Sequence, residues 1–177
     1  EIKKIITSLN KNCQSTHLIG CYALGKAQRV ISLLRDSGYK ETIFIHGALE
    51  KICDYYMKNN IKLGSLKKIS NLKDFDLKNN VVLAPPSALK DRWSRRFKNK
   101  ISSQASGWLS IKQRVKQNQI EIPLVISDHS DWNELTNTIK NTKAEKVLLT
   151  HGNEEGLVYW CKKKGINALP LSIHGAE

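Results

Sequence analysis

The strongest constraint on this chain is a series of short apolar runs separated by amphipathic stretches. Residues 17–22, 41–45, 81–84, 122–127, 146–150 and 168–171 have the length and composition of strands. Between them lie segments of helical period. Residues 1–10 put Ile2, Ile5, Ile6 and Leu9 on one side. After Gly25, Ala27, Val30, Ile31, Leu33 and Leu34 form an apolar stripe that ends near Gly38. Helices are also expected over 48–60, 87–98, 132–140 and 154–164. Residues 102–111 and 114–119 read as short antiparallel strands, and 61–80 show no clear period. Strands alternating with helices give an α/β fold with mainly parallel pairing.

Composition narrows the class. Apolar residues make up 40% and charged residues 25% of the 177, which is ordinary globular usage and excludes a disordered or fibrous chain. No uncharged apolar run is long enough to span a bilayer, and the first residues lack the apolar core of a signal peptide. Cys13, Cys21, Cys53 and Cys161 include no C-x-x-C pair, so a zinc ribbon or disulfide scaffold is not expected, and a reducing cytoplasm is. The sequence begins at Glu1 and holds one methionine, Met57, so we expect a piece of a longer protein.

The net charge of +13 is uneven: residues 1–100 carry 20 basic and 8 acidic side chains, and residues 101–177 carry 9 and 8. A concentrated basic excess suits a polyanion such as nucleic acid. Lysine outnumbers arginine 23 to 6, so genomic bias is a competing explanation of the total. The densest run holds Lys90, Arg92, Arg95, Arg96, Lys98 and Lys100. Within it, Trp93 and Phe97 are four apart, which would place them on one packing face of a helix and leave the bases to track phosphates.

Four loops after strands carry candidate chemistry. At residues 21–29 a strand, Gly25 and a helix start with Lys26 and Arg29 could hold a phosphate; two solvated bases at a helix start are the alternative. Ser87, after Pro85 and Pro86, sits where a helix cap belongs, with a phosphate contact as the alternative. His129, flanked by Asp128 and Asp131, and His151, before Gly152, each follow a buried strand, where ligands bind in open α/β sheets. Two histidines alone fall short of a zinc site.

Taken together, five stretches resemble the β-CASP branch of the metallo-β-lactamase-fold nucleases. Y-A-L-G-K-A-Q-R at residues 22–29 is similar to the segment that opens the β-CASP subdomain. A-P-P-S at 84–87 resembles its strand-turn-helix at the substrate cleft. S-G-W-L-S-I at 106–111 resembles the strand returning to the lactamase-fold half. S-D-H-S-D-W at 127–132 and L-T-H-G at 149–152 are similar to motifs B and C. The nearest group is the bacterial ligase-associated DNA exonuclease-like (mRNA 3′-end processing factor-like) proteins; Ser130 stands where that group has Ala.

The resemblance implies a β-CASP subdomain, a parallel sheet with flanking helices, over 1–100. It implies the C-terminal half of a lactamase-fold αββα sandwich over 101–177. The implied reaction is zinc-dependent phosphodiester hydrolysis in DNA repair, with DNA favoured, RNA as the alternative substrate and a functional association with a DNA ligase. His151 would bind one of two zinc ions. His129 would donate a proton to the leaving group or contact the phosphate, with Asp131 orienting it. Lys26, Arg29, Ser87, Arg95, Arg96 and Ser127 would contact substrate. The family's H-x-H-x-D-H loop has no counterpart here; His17, His46 and His174 lack its spacing. The segment alone is therefore expected to bind zinc poorly and not to cleave. The rival readings are a non-catalytic nucleic-acid-binding paralogue, an RNA 3′-end processing endonuclease and, from another class, a nucleotide-binding α/β domain, which lacks its G-x-G-x-x-G.

Overall fold

The computed structural model describes residues 1–71 and 76–172; His174 lies outside them. Six strands form one sheet in the order β3-β2-β4-β1-β5-β6. They are β1 (Thr16–Gly20), β2 (Ile43–Ile45), β3 (Leu66–Lys68), β4 (Val81–Ala84), β5 (Lys100–Ala105) and β6 (Ile122–Leu124). Every pairing is parallel. Helices α1 (Ile2–Lys11), α2 (Lys26–Asp36) and α3 (Gly47–Lys58) pack their apolar stripes on one face. Ile5, Leu9, Val30, Ile31, Leu34 and Leu49 meet Ile19, Ile43, Ile45, Val81 and Leu83 there. The alternate residues Leu18, Phe44, Val82 and Ala84 face a second cluster with Ile69, Ala88 and Phe97. Strands buried on both faces explain why β4 reads as an unbroken apolar run and β1 as one over Leu18 and Ile19.

Arg35, near the end of α2, ties the helix to the sheet. Its guanidinium donates to the carbonyls of Tyr39 (2.8 Å), Glu41 (2.7 Å), Leu63 (3.0 Å) and Ser65 (2.8 Å). Gly64, at φ +73°, leaves it room: a Cβ there would lie 2.6 Å from Arg35 Nε.

Two expectations are corrected. Residues 87–98 do not form one helix. They form two 3-10 turns, Pro86–Leu89 and Arg92–Arg96, interrupted at Asp91, whose side chain accepts from the Arg92 N–H at 2.6 Å. Pro85 takes the cap position, so Ser87 lies exposed inside the turn instead of capping it. Trp93 and Phe97 nevertheless pack edge to face, with centroids 5.2 Å apart.

Residues 102–119 do not form antiparallel strands either. β5 runs parallel to β1. The stretch at 106–111, read as a returning strand, is a 3-10 turn over Gly107–Ser110, and α4 (Lys112–Gln117) follows. Parallel pairing of β5 with β6 demands this crossover, because the chain must return to the same end of the sheet.

The chain divides into two compact units, Glu1–Asp128 and a second beginning at His129. Residue 100, where the sequence reading placed a boundary, is the first residue of β5 and belongs to the sheet. The second unit holds α5 (Trp132–Thr142), β7 (Val147–Leu149), α6 (Glu155–Lys163) and β8 (Ala168–Pro170). Its two strands pair in parallel, and Ile139, Cys161 and Ala168 form its core. Among the described residues no helix is long and apolar enough to cross a membrane.

His17 on β1 is fully buried. Its Nε2 lies 2.8 Å from Ser8 Oγ on α1, and its Nδ1 has no partner. Burial lowers its pKa below 6.5, and burial lowers that of His46 as well. The folded state therefore binds these protons less readily than the unfolded chain, and stability falls as pH drops through about 6.5. The urea midpoint is expected to fall between pH 7.5 and pH 5.5, with part of that loss absent in His17→Gln; an unchanged pH dependence in the variant would contradict this assignment.

Candidate functional site

In a wholly parallel sheet, all strands end at one edge, where loops collect ligand-binding groups. Here that edge brings together residues 21–25 after β1, His46 after β2, Pro85 after β4, Ser106 after β5, and Ser127 and Asp128 beyond β6. Gly25 turns the chain into α2 with φ +78°, and its N–H donates to Gln28 Oε1 at 2.8 Å. The Gln28 amide donates in turn to the Ala23 carbonyl at 3.0 Å, which stiffens the turn.

Lys26, first in α2, points inward. Its Nζ lies 2.8 Å from Asp128 Oδ1, with its side chain 2% exposed against 28% for Asp128. The ammonium also sits over the Tyr22 ring, 5.1 Å from the centroid. Neighbouring loops pack closely. A Cβ on Gly107 would be 3.3 Å from Ser127 Cβ, and one on Gly20 would meet Leu89 at 3.0 Å. His46 caps α3, its Nδ1 accepting from the Ala48 N–H at 3.1 Å, and contacts the edge of Trp93 with centroids 4.9 Å apart. Accepting that bond requires neutral imidazole, in line with its lowered pKa.

The sequence-predicted residues separate into several places. Lys26 is buried in its ion pair, and Ser127 is half-buried at the carboxyl edge. Arg29 and Ser87 are exposed in the segments that follow β1 and β4. Arg95 lines a groove along β5, whereas Arg96 lines a cleft of about 360 Å³ with Thr16 and Asn99, at the amino ends of β1 and β5.

In the second unit, His129 is exposed ahead of α5. Asp131 caps α5 reciprocally: its Oδ1 accepts from the Glu134 N–H at 2.9 Å, and Glu134 Oε2 accepts from the Asp131 N–H at 3.2 Å. D-x-x-E is thus a capping box. His151 is exposed with φ +69°, followed by Gly152 at φ +92°. A histidine held in the left-handed region at the end of a strand is uncommon, and such strain concentrates at functional positions.

Sequence reasoning missed Trp108. It is 63% exposed in the turn after β5, with the Arg114 guanidinium 4.3 Å from its ring centroid. The cue was available only through the helical register of 112–117, which the antiparallel reading hid.

Among the described residues, no three His, Cys, Asp or Glu side chains form a group that could hold a metal ion. These residues therefore do not by themselves fit the two-zinc centre that the resemblance implies.

No family model matches the sequence. A curated protein from Opitutus terrae described as "Probable DNA ligase" is 23% identical over 150 residues, covering 83% of this chain. The match spans 14% of that protein's length.

The Lys26–Asp128 pair makes an asymmetric prediction. Asp128→Ala strands a buried ammonium, a loss of about 3 kcal/mol, whereas Lys26→Met leaves a partly exposed carboxylate that water can reach and should cost less. Urea unfolding of the two variants checks the order; equal losses would contradict the burial argument.

Proposed function

We propose that this chain is part of a DNA-acting nuclease of the β-CASP type, in which the first unit holds the nucleic acid and the second contributes His129 and His151 to hydrolysis. The division of charge is the observation that carries this reading. With the boundary after Asp128, the first unit has 23 basic and 10 acidic side chains, and the remainder has 6 of each. The entire excess of +13 thus belongs to the unit whose strand ends collect the family-like loops. A solvated lysine bias would spread over both units. The DNA ligase description of the Opitutus protein supports DNA over RNA.

On this reading the basic unit binds phosphates and releases counterions. His129 protonates the leaving oxygen or contacts the scissile phosphate, a role worth about 10² to 10⁴ in rate for a positioned proton donor. His151 would hold one zinc ion of a centre completed by residues outside this chain.

In the longer parent protein that this reading implies, His129→Ala should lower DNA hydrolysis by about 10²-fold or more and leave zinc content and DNA affinity within about twofold. His151→Ala should lower zinc content. Equal zinc loss in both variants would overturn the division of roles, and DNA binding without hydrolysis would mark a binding module instead.

A further inference from the structure

β5 breaks the rule its neighbours keep. On the face where β1 and β4 present Leu18, Val82 and Ala84, β5 presents Lys100, Ser102 and Gln104, alternating along the strand in register with β1. These polar side chains are half-buried. They form one wall of a groove of about 460 Å³, and Lys90 and Arg95 of the turns after β4 and Asn118 beyond α4 lie on the others. Among the described residues no acidic side chain lines it; the nearest acidic contact to β5 is Glu121, whose carboxylate accepts from the Ser102 N–H at 2.8 Å. The Lys100 ammonium donates to the Ser94 carbonyl and Oγ, both at 2.9 Å, and the Lys90 ammonium donates to Asn118 Oδ1 at 2.7 Å. Both are held in place by neutral acceptors. Lys90, Arg95 and Lys100 make no ion pair among the described residues. Burial, reinforced by the nearby Arg95 charge and opposed by that of Glu121, lowers the Lys100 pKa.

We infer that this groove is a phosphate track for a single nucleic-acid strand, running along β5 towards the carboxyl edge of the sheet. The inference rests on the nucleic-acid reading above and adds to it a location and a strand class. From Lys100 to Gln104 the strand extends about 13 Å, enough for successive phosphates of one strand. A cavity of this size accepts a small-molecule-sized cross-section, which suits one sugar-phosphate chain. Lys90 and Lys100, held by their hydrogen bonds, and the exposed Arg95 supply the charge, while the Ser102 hydroxyl and the Gln104 and Asn118 amides can bond phosphate oxygens without selecting a base.

The test is fluorescence anisotropy of a labelled oligothymidylate with the whole chain across a salt series. Lys90→Gln/Arg95→Gln/Lys100→Gln should weaken binding at least tenfold and reduce the magnitude of the log K against log[salt] slope by about 2, three contacts at roughly 0.7 each. Arg95→Glu, at an exposed side chain, should weaken binding several-fold without touching the Ser94 bonds. The triple variant Lys40→Gln/Lys58→Gln/Lys62→Gln, which removes the same charge from exposed positions elsewhere, should stay within twofold of the parent. If the parent chain binds and both groove variants match it, the groove assignment falls while the nucleic-acid reading stands. If the parent chain binds no oligonucleotide, both fall.

Discussion

The ion pair between Lys26 and Asp128 is the interaction on which the carboxyl edge depends. An ammonium with 2% of its side chain exposed is tolerable only with a partner at hydrogen-bonding distance. That partner comes from a residue about a hundred positions later. The pair binds the first turn of α2 to the last residue of the first unit, immediately before His129. The carboxylate also lies beside the start of α2, where the helix dipole favours negative charge. Lysine at a helix start, which the dipole disfavours, is therefore compensated from across the sheet.

That pair also links two motifs that the sequence alone left separate. By resemblance, Lys26 in Y-A-L-G-K-A-Q-R is a substrate contact and Asp128 in S-D-H-S-D-W a neighbour of a catalytic histidine. The structure gives them a shared structural task. Asp131 tells a similar story, since its carboxylate caps α5. Spacing alone does not distinguish chemistry from architecture at these positions, because a carboxylate before a helix serves both.

Much of the fold was legible where the signal was simple. β4 is apolar throughout, and β1 is apolar over Leu18 and Ile19, because both faces are buried, and α1 and α2 carry clear stripes. The misreadings fall where local and tertiary preferences diverge. β3 contributes only Leu66, Lys67 and Lys68 at the edge of the sheet, and charged edge strands resemble loops. Asp91 splits a segment whose spacing suited one helix. β5 is too polar to look like an inner parallel strand, and for that reason the groove along it was invisible until the neighbouring strands were placed. Arg95 and Arg96, adjacent in sequence, end in different clefts, which no charge count could reveal.

The central claim is that nucleic acid lies against the first unit, over the carboxyl edge and along β5. Photocrosslinking of a 4-thiothymidine oligonucleotide to the whole chain, followed by peptide mapping, tests it most directly. The account predicts adducts in residues 22–29, 86–96 and 102–108. Adducts confined to the second unit, or to residues 10–16 at the amino edge of the sheet, would contradict it.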